Sequence, residues 1–117
     1  MSTKNELEQC EKDESYQKII TIEKNIQETA QKFVDISKQV QEITHLPNQE
    51  TALRDLEKRS KACSEQWMHS LENLDGIQLD DSQTMSKSKR KSVVDCINSY
   101  IGEKLALKLQ FHEIFVT

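Results

Sequence analysis

Glycine, proline and aromatic side chains are scarce in this sequence: its 117 residues include two Gly and one Pro, and 5% are aromatic. β-Hairpins need Gly, Asn or Asp at fixed turn positions, so this composition disfavours a turn-rich β fold. Charged residues are plentiful, at 31%. A chain of this length has room for one hydrophobic core. The composition therefore predicts a single all-α domain.

Long apolar runs are also missing. None approaches the roughly 20 residues that a membrane-spanning helix needs, and the N-terminus has no hydrophobic signal core. The three cysteines form no C-x-x-C pair, and their odd number favours reduced thiols over a disulfide framework. We expect a cytoplasmic protein with no membrane partner, and the nucleus is a second location that the sequence allows.

The charge balance bears on the choice of partners. Twenty acidic and 16 basic residues give a net charge of −4, which provides no overall attraction to a phosphate backbone. We therefore expect no nucleic-acid partner.

Features of an enzyme are missing as well. The three histidines, His45, His69 and His112, are scattered, and no cysteine lies at zinc-ligand spacing. Glu65 and Asp75 would be about 15 Å apart along one helix, which is too far for a catalytic carboxylate pair. The sequence also has no Gly-rich phosphate loop. These observations predict neither an enzyme nor a metal or cofactor site.

Three stretches have apolar residues at alternating spacings of three and four, the period of an amphipathic helix. They predict helices at about residues 16–45, 49–78 and 86–112. Residues 1–15 are almost wholly polar, so we expect a disordered or frayed lead before a bundle over residues 16–115. Burying three apolar stripes with two short connections predicts an antiparallel three-helix bundle, up-down-up.

Local signals mark the helix ends. Pro47 supplies no amide donor and disfavours helical backbone at the preceding residue, so the first helix should stop there. Asn48 is suited to cap the second helix, residues 79–84 read as a loop, and the third helix should begin near Ser86.

The stripes also predict the core. The first is a heptad seam with Thr29 as its polar member, and Val34 widens it. The second contains Trp67, with Ser60 as a polar gap, and the third includes Leu105. We expect Trp67 to pack inside the bundle.

Polar and charged residues lie off these stripes, with acid on the second helix and base on the third. Such faces are often merely solvated, but here they form a candidate binding surface. Its members on the second helix are Lys58, Lys61, Glu65, Met68, Glu72 and Asp75, and those on the third are Lys87, Arg90, Lys91 and Asn98.

From about Leu53 to Ile101 the chain resembles the BAG-domain family. The family pattern has a glutamate, an aspartate ten residues later, an Arg-Lys pair fifteen beyond that and an amide eight after the arginine. The residues at these intervals are Glu65, Asp75, Arg90-Lys91 and Asn98. The other matching residues are Lys58-Arg59, Lys61-Ala62, Gln66-Trp67-Met68, Leu71-Glu72, Leu74, Lys89 and Val94.

Two positions depart from the family pattern. The family usually has glutamine at the position of Asn98 and phenylalanine at that of Trp67. The first predicted helix is similar only in being amphipathic, so the resemblance carries over no residue before Pro47.

The resemblance implies a three-helix co-chaperone that binds the ATPase domain of a seventy-kilodalton heat-shock chaperone. It implies that this binding promotes ADP/ATP exchange and client release. On this reading, Glu65 and Asp75 receive basic side chains of the chaperone, and Arg90 and Lys91 meet acidic ones.

Two other interpretations stay open on the residues alone. The basic run Lys87-Ser88-Lys89-Arg90-Lys91 has enough charge for nuclear import or phosphate binding. The regular heptad seam of the first helix would also suit a coiled-coil adaptor, or a homodimer formed through that helix, with no exchange activity.

Overall fold

A computed structural model describes residues 13–116 of the chain. These residues form three helices, which we label α1 (Glu14–Ile43), α2 (Glu50–Asp75) and α3 (Thr84–Val116). No strand occurs in the described range. The prediction of an all-α fold is confirmed.

Contacts between α1 and α2 show that the two helices run in opposite directions. The Cys63 thiol lies 3.9 Å from the Thr29 carbonyl oxygen, and the Trp67 indole N–H donates to the Ile26 carbonyl at 3.4 Å. Residue numbers rise along α2 as they fall along α1, which is the pattern of an antiparallel pair.

Contacts of α3 complete the topology. Arg90 bonds the carbonyl of Ile77, and Tyr100 stacks on Trp67, so α3 runs back along α2. Near the start of α3, Ser86 reaches Asp13 just before α1. Farther along both α1 and α3, Lys89 reaches Glu23. The third helix is therefore parallel to the first, as the up-down-up prediction requires.

The core is built from the predicted stripes, with fully buried Trp67 at its centre. Its ring stacks on Tyr100, with centroids 5.3 Å apart, and meets Phe33 at 5.6 Å. The polar gaps are buried too. The Thr29 and Ser60 hydroxyls donate to backbone carbonyls of their own helices, at 3.0 and 2.7 Å, so neither leaves an unsatisfied group in the core.

The start of α1 differs from the expected frayed lead. The helix begins at Glu14, and the Asp13 carboxylate caps it by accepting the Ser15 amide at 2.9 Å. The same carboxylate accepts hydrogen bonds from Gln83 and Ser86, both at 2.9 Å. Residues 13–15 therefore belong to the bundle. The rest of the predicted lead lies outside the described residues.

The ends of α2 also needed correction. Asn48 does not cap the helix, because its backbone adopts φ of 61° and turns the chain. Gln49 takes the cap position without a side-chain bond. The helix ends at Asp75, three residues before the predicted end, with Gly76 at the C-cap. The connection therefore spans residues 76–83, and α3 starts at Thr84, two residues early.

Two residues assigned to the stripes are not buried. Val34 on α1 is 46% exposed and Leu105 on α3 is 53% exposed. Both lie on the shoulder of a stripe that its deeper members already fill, so the predicted core was too wide at these positions.

Candidate functional site

Three successive basic residues of α3 point in three directions, because each residue of a helix turns by about 100°. Lys89 forms an ion pair with Glu23 of α1 at 2.9 Å. Arg90 turns to the C-terminal end of α2, and Lys91 turns one step farther, past α2, into solvent. The order of these three residues around α3 shows which side of the helix borders α2. Lys91 lies just beyond that side.

The flanks of α2 are fixed in the same way. Arg59, Ala62 and Gln66 line a groove against α1, so the opposite flank borders α3. Lys61 follows the buried Ser60 by about 100° around α2. Its charge acts on Lys104 of α3, so Lys61 belongs to the flank of α2 that borders α3.

We call the shared outer surface of these two helices the α2–α3 face. It contains all the predicted site residues except Arg90, which is half-buried at its edge. The members are Lys58, Lys61, Glu65, Met68, Glu72 and Asp75 of α2, and Lys87, Lys91 and Asn98 of α3. From Lys58 to Asp75 the face is about 25 Å long.

One end of the face lies beside the 76–83 connection. Here the Arg90 guanidinium donates to the Ile77 carbonyl at 2.8 Å, two residues after Asp75. This bond holds the base of α3 and the acid of α2 at the same end of the bundle, as predicted. A guanidinium has five N–H donors, so Arg90 keeps others for a partner.

In the middle of the face, Trp67 of α2 stacks on Tyr100 of α3, so these two residues lie at the same height along the bundle. Met68, the neighbour of Trp67, is 50% exposed, and Asn98 lies two residues from Tyr100 on α3. Glu65 projects from the outermost edge of α2, opposite the buried row. A hydrogen bond with Cys96 and burial raise the pKa of Tyr100 in this layer.

Several charges of the predicted surface already have partners within the chain. Glu72 lies 3.7 Å from His69, and Lys87 lies 3.1 Å from Asp81. Within residues 13–116, by contrast, Glu65, Asp75 and Lys91 have no ion pair or side-chain hydrogen bond. These unpaired, exposed charges are the ones best placed to meet a partner.

The basic run therefore does not form one patch. Lys87, Lys89 and Arg90 bond to three different parts of the bundle, and only Lys91 of its charged members lacks a partner among the described residues. A phosphate backbone would meet a dispersed set of charges rather than a cluster.

The end of the face distant from the connection is basic. Burial lowers the pKa of Lys104, and the nearby charges of Lys108 and Lys61 lower it further, while Glu57 opposes them. Lysines of both helices therefore lie close together at this end. The surface as a whole has acid and base near the connection and base at the other end.

Two kinds of feature are absent from residues 13–116. No group of three or more His, Cys, Asp or Glu side chains between residues 13 and 116 is arranged to hold a metal ion. Among the helices of that range, none has the length and apolar character needed to cross a lipid bilayer.

Comparison with protein families decides what kind of module this is. The family model described as BAG domain matches residues 26–103, which are 78 of the 117 residues. The chain belongs to the BAG-domain family. Comparison with curated proteins gave no match, and comparison with solved structures gave none either.

The match is wider than the resemblance seen in the sequence, since it begins at Ile26 inside α1 rather than near Leu53. BAG domains are protein-interaction modules, not catalysts, and as a family they bind the ATPase domain of seventy-kilodalton heat-shock chaperones. The match takes in all ten predicted contact residues and leaves out the last turns of α3.

Sequence reasoning missed the groups that hold the face in place. Asp13 lies in a polar stretch, and its partners are 70 and 73 residues away. Lys89 and Arg90 looked like free charges because nothing in the local pattern shows that Glu23 or the Ile77 carbonyl is near. A capping signal at Asp13 was the one local clue available.

Proposed function

We propose that this protein is a co-chaperone that binds the ATPase domain of a seventy-kilodalton heat-shock chaperone and promotes ADP/ATP exchange and client release. The observation that carries the proposal is the gathering of Asp75, Arg90 and Lys91 at one end of a face in a BAG-family bundle. The protein does no chemistry in this role.

Each charge has a part in the proposed contact. Glu65 and Asp75 accept hydrogen bonds from basic side chains of the chaperone. Lys91 and the free N–H groups of Arg90 donate to acidic ones, and the Asn98 amide adds a neutral polar contact. Met68 supplies an apolar spot in the middle of the face.

Nucleotide release follows from differential affinity. A partner shifts an open–closed equilibrium only by the amount that it binds one state better than the other. The α2–α3 face is long and held by a packed core, so it suits one arrangement of the chaperone surface. We propose that this arrangement is the open cleft, from which ADP dissociates.

Rigidity supports this assignment. Arg90 is held by the Ile77 carbonyl, and the Asp13 carboxylate ties the starts of α1 and α3 together. Side chains that are already ordered lose less conformational entropy on binding, so more of the interaction energy is available to open the cleft.

The location of the protein stays a prediction. Cys63 is a buried free thiol and Cys96 an exposed one, which suits a reducing compartment. We propose the cytoplasm, with the nucleus as a second location.

The test is a binding titration of the full chain against a heat-shock chaperone ATPase domain by calorimetry. Asp75→Ala should weaken binding by about 2 to 5 kcal/mol, because it leaves a basic chaperone group without its partner. The matched control is Glu28→Ala, which removes one exposed carboxylate from α1, away from the face. Equal losses in the two variants would overturn the assignment of the face.

A further inference from the structure

The last third of α3 has apolar residues on two sides. Leu107 and Phe111 fill the core, whereas Leu105 and Leu109 are 53% and 67% exposed. The core stripe of α3 already packs against both other helices, so the exposed surface of Leu105 and Leu109 has no partner in the bundle.

The exposed leucines continue the α2–α3 face. Lys91, Asn98 and Leu105 are seven residues apart, and Leu109 follows one turn later, so all four lie along one side of α3. The Arg54 guanidinium lies over the Phe115 ring at 4.2 Å. Along the bundle, Leu105 and Leu109 lie between this contact and the Trp67–Tyr100 stack. They are therefore level with Lys58 and Lys61 on α2.

Lys91, Asn98, Leu105 and Leu109 form a row along α3, and Gly102 lies in this row between Asn98 and Leu105. A Cβ atom placed on it would meet nothing within 4 Å, so the bundle itself does not require glycine there. Glycine inside a helix destabilises it relative to alanine. The missing side chain leaves a shallow gap in the row, where the backbone of a partner could approach closely.

The charged residues around Leu105 and Leu109 indicate what kind of partner would cover these leucines. Lys58 and Lys61 flank it with no ion pair among residues 13–116, and Lys104 and Lys108 lie nearby. Glu57 opposes the effect of Lys61 and Lys108 on the pKa of Lys104. A second copy of the chain, paired face to face, would bring the same lysines together. The row instead suits a partner that carries apolar side chains flanked by carboxylates.

We propose that Leu105, Leu109, Lys58 and Lys61 form a second half of the chaperone-binding face, which receives an apolar, acid-flanked segment of the same ATPase domain. The inference rests on the proposed function and extends it. Both leucines lie beyond residue 103, where the family match ends, so this half would set the affinity of this chain in particular.

The test compares binding of the chain and its variants to the chaperone ATPase domain by calorimetry. Leu105→Ser with Leu109→Ser should weaken binding by about tenfold or more, since both side chains are more than half exposed in the free chain and would lose the apolar surface that the partner covers. The control is Val34→Ser, a similarly exposed apolar residue on α1, which should bind like the wild type. Circular dichroism checks that each variant folds.

Three further variants separate binding from folding. Gly102→Ala should raise the melting temperature, while Gly102→Gln should fill the gap and weaken binding several-fold without unfolding the helix. Lys58→Glu with Lys61→Glu should also weaken binding, and more so at low salt.

The outcomes are distinct. If the wild type binds and Asp75→Ala does not, but the leucine pair and Gly102→Gln bind as tightly as the wild type, this inference is overturned and the proposed function stands. If the wild type does not bind at all, both are overturned.

Discussion

The two ends of the α2–α3 face are built differently. Next to the 76–83 connection, Arg90, Lys87 and Lys89 each bond to another part of the chain, so the free charges Asp75 and Lys91 stand on a fixed frame. At the far end, Lys58 and Lys61 have no such partner in the described residues, and two leucines are exposed. In the proposed contact, the fixed end would provide specificity, and the basic, apolar end would add affinity.

Both ends depend on one residue in the middle. Trp67→Ala should lower the free energy of unfolding by about 3 to 5 kcal/mol, because it empties the packing between Phe33 and Tyr100. Chemical denaturation measures this loss. Met68→Ala on the exposed side is the matched control and should cost well under 1 kcal/mol. If Trp67→Ala and Met68→Ala lowered the free energy of unfolding by similar amounts, Trp67 would not be the centre of the core.

The fixed end should be sensitive to shape as well as charge. Arg90→Lys keeps the positive charge, but an ammonium cannot bond the Ile77 carbonyl and still present the planar fork of a guanidinium. We expect this variant to bind the chaperone about tenfold more weakly. Lys91 has no hydrogen bond or ion pair through its side chain within residues 13–116, so Lys91→Arg should bind nearly as well as the wild type. Arg90→Lys with full affinity would show that charge alone matters there.

The bond network at the start of α1 should add stability to the fixed end. Asp13→Ala removes a helix cap and its links to Gln83 and Ser86, and should cost about 1 kcal/mol of unfolding free energy. Asp13→Asn keeps a capping oxygen and should lose less. A stability unchanged in both variants would mean that the start of α1 does not contribute.

The same residue predicts a dependence on acid. The hydrogen bond from Gln83, with others from Ser86 and Ser15, holds the pKa of Asp13 below its usual value. Its contribution is therefore present above the unfolded pKa of about 4 and is lost as pH falls through the folded pKa. Thermal melts between pH 5 and pH 2 should show a smaller decline for Asp13→Asn than for the wild type. Parallel declines would contradict this role.

The far end should show the opposite effect of charge on stability. Burial and neighbouring lysines lower the pKa of Lys104, so its charged form is disfavoured in the folded state. Lys104→Met should therefore raise the melting temperature slightly at neutral pH. The control is Lys38→Met, which removes an exposed lysine of α1, and it should change little. A lower melting temperature for Lys104→Met would show that the charge is stabilising.

Much of the fold was predictable because it depends on burying apolar stripes. The spacing of Ile19, Ile26 and Phe33 placed α1, and Trp67 lay in line with the second stripe, so both helices and the core followed from periodicity. Helix ends were less predictable, since Asn48 adopts a turn conformation that its capping preference did not reveal.

The position of the candidate residues on the bundle was predictable in part. The intervals from Glu65 to Asn98 pointed to the correct family, and the residues do share one face, with Arg90 at its edge. Bonds between distant residues, such as Lys89 to Glu23, were not predictable, because no local pattern pairs groups 66 positions apart. Exposure of Leu105 was missed because it lies on the shoulder of a stripe.

The release of labelled ADP from a heat-shock chaperone ATPase domain, followed by stopped flow, tests the central claim most directly. We expect the wild-type chain to accelerate release, and Asp75→Ala at the same concentration to leave the rate at its basal value. A release rate that the wild-type chain does not change would contradict the proposed co-chaperone function.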